Sequence, residues 1–196
     1  MRVIVKMTTD SRQRMIETAA LVMRERGVEA TSFSEVLARS GAPRGSIYHH
    51  FPGGKAQLIE EATRYAGEFT ATGLAMALAQ EDPVAAIRAF SASWGRILRR
   101  SDFGAGCPVV AASLEGERIP GARDAAAAAF EHWERLLAEA LLPHVSSTNQ
   151  AQALATLVIA SIEGAVVVSR AVRSTDPLER VAGELEQLLV GAIQPA

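Results

Sequence analysis

The chain has 196 residues, of which 48% are hydrophobic and 21% are charged, and its formal net charge is −2. This composition predicts one or two globular domains and excludes a disordered tail. We find no apolar run of the roughly 18 to 20 residues that cross a bilayer, and no secretion signal. The single cysteine, Cys107, cannot close an internal disulfide. With four histidines it also offers no Cys/His zinc site. We therefore expect a cytoplasmic protein that has no cofactor, no metal and no membrane contact.

Charge is distributed unevenly along the chain. Residues 1–65 contain ten Lys or Arg and seven Asp or Glu, a balance of +3, whereas residues 66–196 contain ten and fifteen, a balance of −5. A basic N-terminal part joined to a larger acidic part is typical of a protein that binds a polyanion at one end. A balance of +3 also occurs in ordinary domains, so the charge alone does not establish that this part binds a polyanion.

The first part of the chain, in sequence order, predicts three short helices. Ser32 and Glu35 form an S-x-x-E capping box, in which the Ser32 hydroxyl accepts a hydrogen bond from the Glu35 amide. Pro43 suits the first position of the third helix, because its fixed φ is already helical. The three helices are expected at residues 11–26, 33–40 and 43–51.

The rest of the chain also has a helical period, and an all-α fold is therefore predicted. A long helix over residues 55–79 leaves the basic part and enters the acidic part. Asp82 and Pro83 are suited to begin the next helix. The later helices are expected at residues 83–101, 109–114, 121–142, 147–174 and 177–193.

Two of the short helices are joined by Ser40, Gly41 and Ala42, a connection with the length and glycine content of a helix-turn-helix. The segment that follows, residues 43–51, reads Pro-Arg-Gly-Ser-Ile-Tyr-His-His-Phe. Hydrogen-bond donors lie on one of its faces, whereas Ile47 and Phe51 are spaced to face inward. Such a face suits phosphates and base edges.

These residues resemble the TetR-type transcriptional repressors of bacteria. The resemblance is carried by Gly27, Ala30-Thr31-Ser32, Leu37-Ala38-Arg39-Ser40-Gly41 and Gly45-Ser46-Ile47-Tyr48-His49-His50-Phe51, with Lys55 following. In the second part, Gly106-Cys107-Pro108-Val109 with Leu114-Glu115, together with Phe51-Pro52-Gly53-Gly54-Lys55, resembles the LmrA/YxaF-type subgroup, which is associated with drug and small-aromatic sensing. The remaining residues fit the family by the length and order of their helices.

The resemblance implies two domains: a helix-turn-helix DNA-binding head at residues 1–54 and an effector-binding and dimerisation body at residues 55–196. It places Arg44, Gly45 and Ser46 at base edges or nearby phosphates, Tyr48 and His49 on the DNA backbone, and Thr31, Ser32 and Lys55 on phosphate. Read without this pattern, Tyr48 is a core residue and His49 a surface residue, and for His50 we expect packing. Pro43 replaces a common Ser or Thr of the family, and Ala56 replaces a common Glu.

The body offers few catalytic groups, because Cys107 has no histidine near it in sequence and no acid is paired with a base. We therefore expect no enzyme, and we expect Cys107 to be a small core residue rather than a redox sensor. The resemblance implies an apolar ligand pocket among the body helices, although the same side chains can form an ordinary core. The candidate lining residues are Phe69, Phe90, Trp94, Cys107, Phe130, Trp133 and Glu163.

Glu163 lies within an apolar run, residues 157–168. Because an unpaired buried carboxylate costs several kcal/mol, we expect it to face a pocket, a partner chain or an arginine such as Arg170. The alternative is a carboxylate that reaches solvent at the helix edge.

The last two helices carry more apolar surface than one layer can bury. Ala160 and Gly164, four residues apart, also permit close approach of another helix. The resemblance implies a homodimer in which these helices form a four-helix interface, whereas the alternative is a bundle within one chain. The candidate interface residues are Leu157, Ala160, Gly164, Val167, Leu185 and Leu188.

Together these features predict a ligand-responsive repressor that a small aromatic or apolar molecule releases from a palindromic DNA operator. Two other classes remain open from the residues alone. One is a helical enzyme or small-molecule carrier whose basic head is incidental, and the other is an architectural DNA-binding protein without a ligand. An activator with the same head is also compatible with the sequence.

Overall fold

The computed structural model describes residues 11–79, 82–115 and 117–193. Within these ranges the ordered backbone is helical and contains no strand, which confirms the all-α prediction. The helices are α1 (Ser11–Arg26), α2 (Phe33–Ser40), α3 (Ser46–His50), α4 (Gly54–Leu78), α5 (Pro83–Arg100), α6 (Pro108–Ser113), α7 (Pro120–Leu141), α8 (Thr148–Val172) and α9 (Asp176–Ala192). A short 3₁₀ turn, Leu142–His144, follows α7 and contains Pro143.

The head forms around α1, whose buried face packs against α2 and α4. The Ser32 cap is confirmed, since its Oγ accepts from the Glu35 amide at 3.2 Å. The Glu35 carboxylate does not complete the capping box, because it pairs with Arg39 of α2 and Arg26 of α1 instead. Gly41 ends α2 with φ +65°, a left-handed conformation that glycine adopts without strain.

The third helix begins later than predicted. Pro43 precedes it, and the Pro43 carbonyl accepts from both the amide and the hydroxyl of Ser46, at 3.0 and 2.7 Å. Arg44 and Gly45 therefore lie in the turn before α3 rather than in its first turn. The prediction of Pro43 at the first helical position was wrong, because this turn uses the proline carbonyl to begin the helix three residues later.

The long helix α4 packs against the head through α1 and against the body through α7. Arg12 of α1 holds its N-terminal half through two hydrogen bonds to the Glu61 carboxylate, at 2.6 and 2.7 Å. Further along, α4 packs closely on α7, where the indole Nε1 of Trp133 donates to the Gly67 carbonyl at 3.0 Å. A Cβ at Gly67 would lie 2.7 Å from the Ala129 Cβ, so only glycine fits this contact.

A second contact between the head and the body lies at the C-terminal end of α1. The Gly106 amide donates to the Arg24 carbonyl at 2.7 Å, and Nη2 of Arg170, on α8, donates to the Gly104 carbonyl at 2.9 Å. A Cβ at Gly106 would lie 2.6 Å from Nη1 of Arg170. The loop before α6 is thereby held between α1 and α8.

By length and composition alone, α8 is long and apolar enough to cross a membrane. The sequence-based expectation that no segment reaches this length was therefore wrong for α8, because alanines between the larger apolar residues raise the mean hydropathy and only Glu163 and Arg170 are charged. Half of its most apolar stretch is buried inside the protein.

Candidate functional site

The loop and helix that follow Gly41 present a polar surface to solvent. Arg44, Gly45 and His49 are exposed, and Tyr48 is 71% exposed. The Tyr48 ring is held in place edge-on against Phe33 of α2, with centroids 5.5 Å apart. This surface, called the α3 face below, is built from five of the eight residues predicted for DNA contact: Arg44, Gly45, Ser46, Tyr48 and His49.

On the side opposite the α3 face, two fully buried side chains, Ile47 and Phe51, anchor the helix in the core of the head. These are the two residues that the sequence placed on the inner side. His50 is only partly exposed, and its Nε2 lies 3.0 Å from the Ser11 hydroxyl, so that it joins α3 to α1. The inner side of α3 is therefore anchored to the rest of the head.

The three residues predicted for phosphate contact differ in accessibility. Ser32 is half-exposed beside the amide that it caps, and the Lys55 Nζ, in the first turn of α4, donates to the Glu29 carbonyl at 2.8 Å. Thr31 is fully buried, and its hydroxyl donates to the Gly27 carbonyl at 2.9 Å. The Thr31 side chain therefore packs inside the head, because the short turn after α1 uses its hydroxyl.

The α3 face also has a favourable charge. The sequence contains no Asp or Glu between Glu35 and Glu60, so no carboxylate in this segment repels a polyanion. Arg39 is neutralised by Glu25 and Glu35, which leaves Arg44 of the α3 face and Lys55 as the cations of residues 36–59. At the start of α4, Gln57 accepts from the Gly53 amide at 2.8 Å and performs the capping role that Ala56 cannot.

The predicted pocket residues are divided between cavities of different size. The larger, called the cleft below, has a volume of about 740 Å³ and lies between α1, α4 and α5. Of the residues predicted for the pocket, Phe69, Phe90 and Trp94 line it. The smaller cavity lies deeper and is lined by Phe90, Trp133 and Glu163 among others; its volume of about 10 Å³ has room for about one water molecule.

Two predicted pocket residues line neither cavity. The Phe130 ring packs edge-on against the Trp133 ring, with centroids 5.2 Å apart. Cys107 is buried at the start of α6, and burial, followed by the nearby Glu163 carboxylate, raises the pKa of its thiol well above the ordinary value. A thiol with a raised pKa carries little thiolate, so Cys107 has the properties of a core residue. In the described part of the chain, no three His, Cys, Asp or Glu residues are grouped as a metal site.

Glu163 is buried, with 9% of its surface exposed, so the alternative of a carboxylate that reaches solvent is wrong. Its Oε2 has no hydrogen-bond partner among the residues that the structure describes. Burial raises the pKa of the carboxyl to about 7, and a hydrogen bond with the Cys107 thiol opposes the shift. Arg170 does not pair with it, because its guanidinium bonds the loop before α6.

The outer face of α8 and α9 is apolar and uncovered in the single chain. Five of the residues predicted for the dimer interface are exposed there: Leu157, Ala160, Gly164, Val167 and Leu188. Their spacing forms one stripe along α8, called the α8 stripe below, with Leu188 of α9 beside it. The sixth, Leu185, is only 5% exposed. It packs inside the chain, because this side of α9 lies against the body.

Two sequence families match these two parts of the fold. Residues 15–62 match the bacterial regulatory proteins of the tetR family, and residues 83–184, more than half of the chain, match the C-terminal domain of LmrA/YxaF-like transcriptional regulators. The chain belongs to the tetR family of transcriptional regulators. Like other members, this TetR-family protein is a DNA-binding regulator with a helix-turn-helix head; proteins of the family are regulators, not enzymes.

Relatives match this TetR-family regulator over nearly its full length. An uncharacterized HTH-type transcriptional regulator of Mycobacterium tuberculosis is 40% identical over 188 residues, which cover 93% of this chain and 95% of the relative. The HTH-type transcriptional regulator LmrA of Bacillus subtilis is 30% identical over 185 residues, which cover 92% of this chain and 97% of LmrA. The crystal structure of regulatory protein TetR from Rhodobacter sphaeroides superposes with a TM-score of 0.81 at 24% identity, covering 90% of this chain and 97% of that one.

Sequence reasoning missed the arginines that surround the cleft in this TetR-family regulator. Arg14, Arg24 and Arg96 lie on helices whose apolar residues were used to predict the core. Their positions on the polar sides of α1 and α5 indicate only that they avoid the core. No motif signals that the two polar sides face each other across a cavity.

Proposed function

We propose that the protein is a ligand-responsive repressor that binds a palindromic DNA operator as a homodimer. The observation that carries the proposal is the α3 face, an exposed set of donors in a segment without carboxylates, held on two buried anchors. Such a surface complements phosphates and the acceptor-rich edges of bases in a major groove. The protein would act in the cytoplasm, where the chromosome is accessible to it.

Within the α3 face we assign different roles to different side chains. Arg44, with Gly45 and Ser46, contacts base edges or nearby phosphates, since it is exposed in the turn that leads into α3. Tyr48 and His49 contact the DNA backbone. Ser32 and Lys55 contribute phosphate contacts at the starts of α2 and α4, where free amides and the helix dipole attract an anion. Thr31 has no part in this assignment, because its side chain is buried.

The homodimer is supported by the α8 stripe. Val167 is 53% exposed and Leu157 41%, and in water an apolar stripe of this kind favours burial against a second copy. Small residues at Ala160 and Gly164 allow the helices of the two copies to approach closely. Two-fold symmetry would set the two α3 faces at least about 34 to 36 Å apart, in successive major grooves, and would require a palindromic operator.

Ligand responsiveness is supported by the continuity of α4, which runs from Gly54 in the head region to Leu78 in the body. We infer the domain boundary at residues 54 and 55, at the start of this helix. A small molecule bound to the body would favour a spacing of the heads that does not fit the operator. A coupling of about 1 to 3 kcal/mol would weaken DNA binding about 5- to 150-fold.

The experiment that tests the proposal is a selection of bound fragments from a random double-stranded DNA pool at about 150 mM salt, where nonspecific electrostatic binding is weak. We expect an enriched palindrome. Calorimetry with that fragment then measures its affinity and the number of chains bound. If no sequence is enriched although the protein is folded and dimeric, the proposal fails and the small-molecule carrier class becomes the better description.

A further inference from the structure

The cleft has walls from both parts of the chain. Leu21 and Arg24 of α1 lie on the head side, whereas Phe90 and Trp94 of α5 lie on the body side. Its volume of about 740 Å³ is within the range of roughly 300 to 1,000 Å³ that small-molecule sites occupy. A molecule bound in the cleft therefore contacts the head and the body at the same time.

The charged side chains around the cleft are mainly cationic. Arg14, Arg24, Arg39 and Arg96 line it, and Glu17 is the single carboxylate among the described lining residues. Arg39 is already paired with Glu25 and Glu35, so the excess of positive charge comes from the other arginines. A low-dielectric wall with this excess of positive charge attracts an anion and repels a cation.

Arg24 is the position at which an anion gains most. The side chain lines the cleft and is half-buried, and burial lowers the pKa of its guanidinium. Its Nε is enclosed and has no hydrogen-bond partner among the described residues, so an anion in the cleft acts on the guanidinium as a whole. No described carboxylate forms an ion pair with it; the neighbouring Glu25 pairs with Arg39 at 2.6 Å instead. A partly buried cation that no described carboxylate contacts in an ion pair gains stability when an anion neutralises it.

The remaining wall of the cleft is largely apolar. Aromatic side chains from two helices, α4 and α5, form part of this surface beside aliphatic residues. The aromatic lining residues are Tyr65, Phe69, Phe90 and Trp94. An inorganic anion would leave this surface wet, whereas an organic anion would cover it and gain the free energy of apolar burial.

We propose that the cleft is the effector site of this regulator and that it binds a small aromatic or aliphatic molecule with one anionic group. The anion lies at Arg24, and the apolar part lies against Phe90 and Trp94. This inference rests on the proposed function, because it gives the chemical class and the location of the effector.

The contacts of Arg24 also connect the cleft to the α8 stripe. Its carbonyl accepts from the Gly106 amide at 2.7 Å, and the same loop is held by Arg170 of α8 through the Gly104 carbonyl at 2.9 Å. A ligand that moves the end of α1 therefore changes the position of the head relative to α8. This physical connection is what an effector site between the two parts requires.

The proposal is tested on the full chain with two fluorescent probes of one skeleton. 1-Anilinonaphthalene-8-sulfonate is anionic, and N-phenyl-1-naphthylamine lacks the sulfonate. We expect the wild-type protein to bind the sulfonate at least about tenfold more tightly, because a charge-assisted hydrogen bond to Arg24 is added to the same apolar contact. Equal affinities for the two probes would overturn the assignment of an anionic ligand.

Two variants and one control locate the binding site. Arg24→Met should abolish the preference for the sulfonate but should still bind the neutral probe. The control Arg64→Met changes an exposed arginine of α4 outside the cleft and should bind both probes as the wild type does.

Gly73→Leu should weaken the binding of both probes about tenfold or more, since Gly73 lines the cleft and has open space for a side chain. Leucine is also a better helix former than glycine, so this variant should fold. Retention of probe binding by Gly73→Leu, or of the sulfonate preference by Arg24→Met, contradicts the proposed site.

The effector role is tested with the selected operator fragment. At a sulfonate concentration that just saturates the wild type, operator affinity should fall about 5- to 150-fold in the wild type and by a smaller factor in Arg24→Met, whose cleft is then only partly occupied. Unchanged operator affinity with the cleft occupied would overturn the effector role. A failure of the proposed function is recognised separately, since no operator would then be selected even though both probes bind in the cleft.

Discussion

Tyr48 and His49 face solvent because Ile47 and Phe51, on the other side of the same turn, are fully buried. With five residues, α3 is far shorter than the roughly 12 to 15 residues that make an isolated helix stable, so these two anchors determine its position. Substitutions on the exposed side should therefore change DNA binding without unfolding the head.

Three single substitutions separate base contacts from phosphate contacts. Arg44→Ala should cost about 1 to 3 kcal/mol on the selected operator and relax the base preference, since it removes a base-edge donor. Tyr48→Phe and Lys55→Ala should weaken binding to all sequences, and Lys55→Ala should reduce the slope of log affinity against log salt by about one. Fluorescence anisotropy on the operator and on a scrambled fragment measures both effects.

The matched control is Arg135→Ala, which removes one charge from an exposed position of α7 in the body. It should leave both the affinity and the salt slope nearly unchanged. If all three head variants lose specificity equally, the division into base and phosphate contacts is wrong.

The raised pKa of Glu163 implies that the free energy of unfolding depends on pH. Its pKa rises from the ordinary value of 4.5 to about 7 in the folded chain, so between these pH values the folded chain binds a proton that the unfolded chain has lost. The free energy of unfolding should therefore fall as pH rises through this window, by about 3 kcal/mol in total. Above it, the buried carboxylate carries a charge without a partner at Oε2.

Glu163→Gln removes this titration and keeps the shape of the side chain. We expect the variant to match the wild type near pH 5 and to be more stable than it at pH 8, by an amount approaching about 3 kcal/mol. Urea denaturation at the two pH values measures the difference. Glu139→Gln, at an exposed position of α7, is the control and should show no such gain; an equal difference at both pH values for Glu163→Gln would contradict the assignment.

The helices α4 and α7 approach each other closely at one glycine. Gly67 allows it, because any Cβ there would lie 2.7 Å from the Ala129 Cβ, which is fixed to the backbone of α7. The Trp133 indole then reaches the Gly67 carbonyl. A long helix shared by the head and the body is thereby held against the centre of the body at one defined point.

Gly67→Ala should destabilise the fold by about 1 to 3 kcal/mol, because the extra methyl group overpacks the contact. Gly73→Ala lies on the same helix, has open space around its Cβ and should stabilise the fold by up to about 1 kcal/mol through helix propensity. Denaturant midpoints of the two variants provide the comparison. Stabilisation by both substitutions would mean that α4 and α7 are not in close contact.

For the whole molecule, the α8 stripe determines the oligomeric state that we propose. The chain buries Leu185 inside itself but leaves Leu157, Val167 and Leu188 between 41% and 53% exposed. Leu185 and Leu188 differ in exposure because one side of α9 packs on α5 and α8, whereas its opposite side is not covered by the chain. A second copy that covers this side would also fix the distance between the two α3 faces.

Gly164→Leu tests the dimer without disturbing the single chain. A side chain at Gly164 has open space within one chain, but it would separate two copies that approach along the α8 stripe. We expect the dimer dissociation constant to rise at least about tenfold, which corresponds to about 1.4 kcal/mol, as measured by sedimentation equilibrium. Gly73→Leu on α4 is the control; an unchanged dimer for Gly164→Leu would exclude the α8 stripe as the interface.

The sequence by itself determined the helices and several of their ends. Periodicity placed the elements within a few residues, and local chemistry identified the Ser32 and Asp82 caps, because both depend on neighbours in the chain. It also identified the family through a run of residues around α3. The start of α3 was missed, since a proline carbonyl rather than a side chain organises that turn.

Only the tertiary structure decided which polar residues face solvent, the core or a cavity. Periodicity assigns a residue to the polar side of its helix but does not say what that side meets, which depends on contacts between distant segments. Thr31 and Leu185 are therefore buried although the sequence suggested contact surfaces. For the same reason Arg24, on the polar side of α1, lines a cleft that exists only because α1 packs beside α4 and opposite α5.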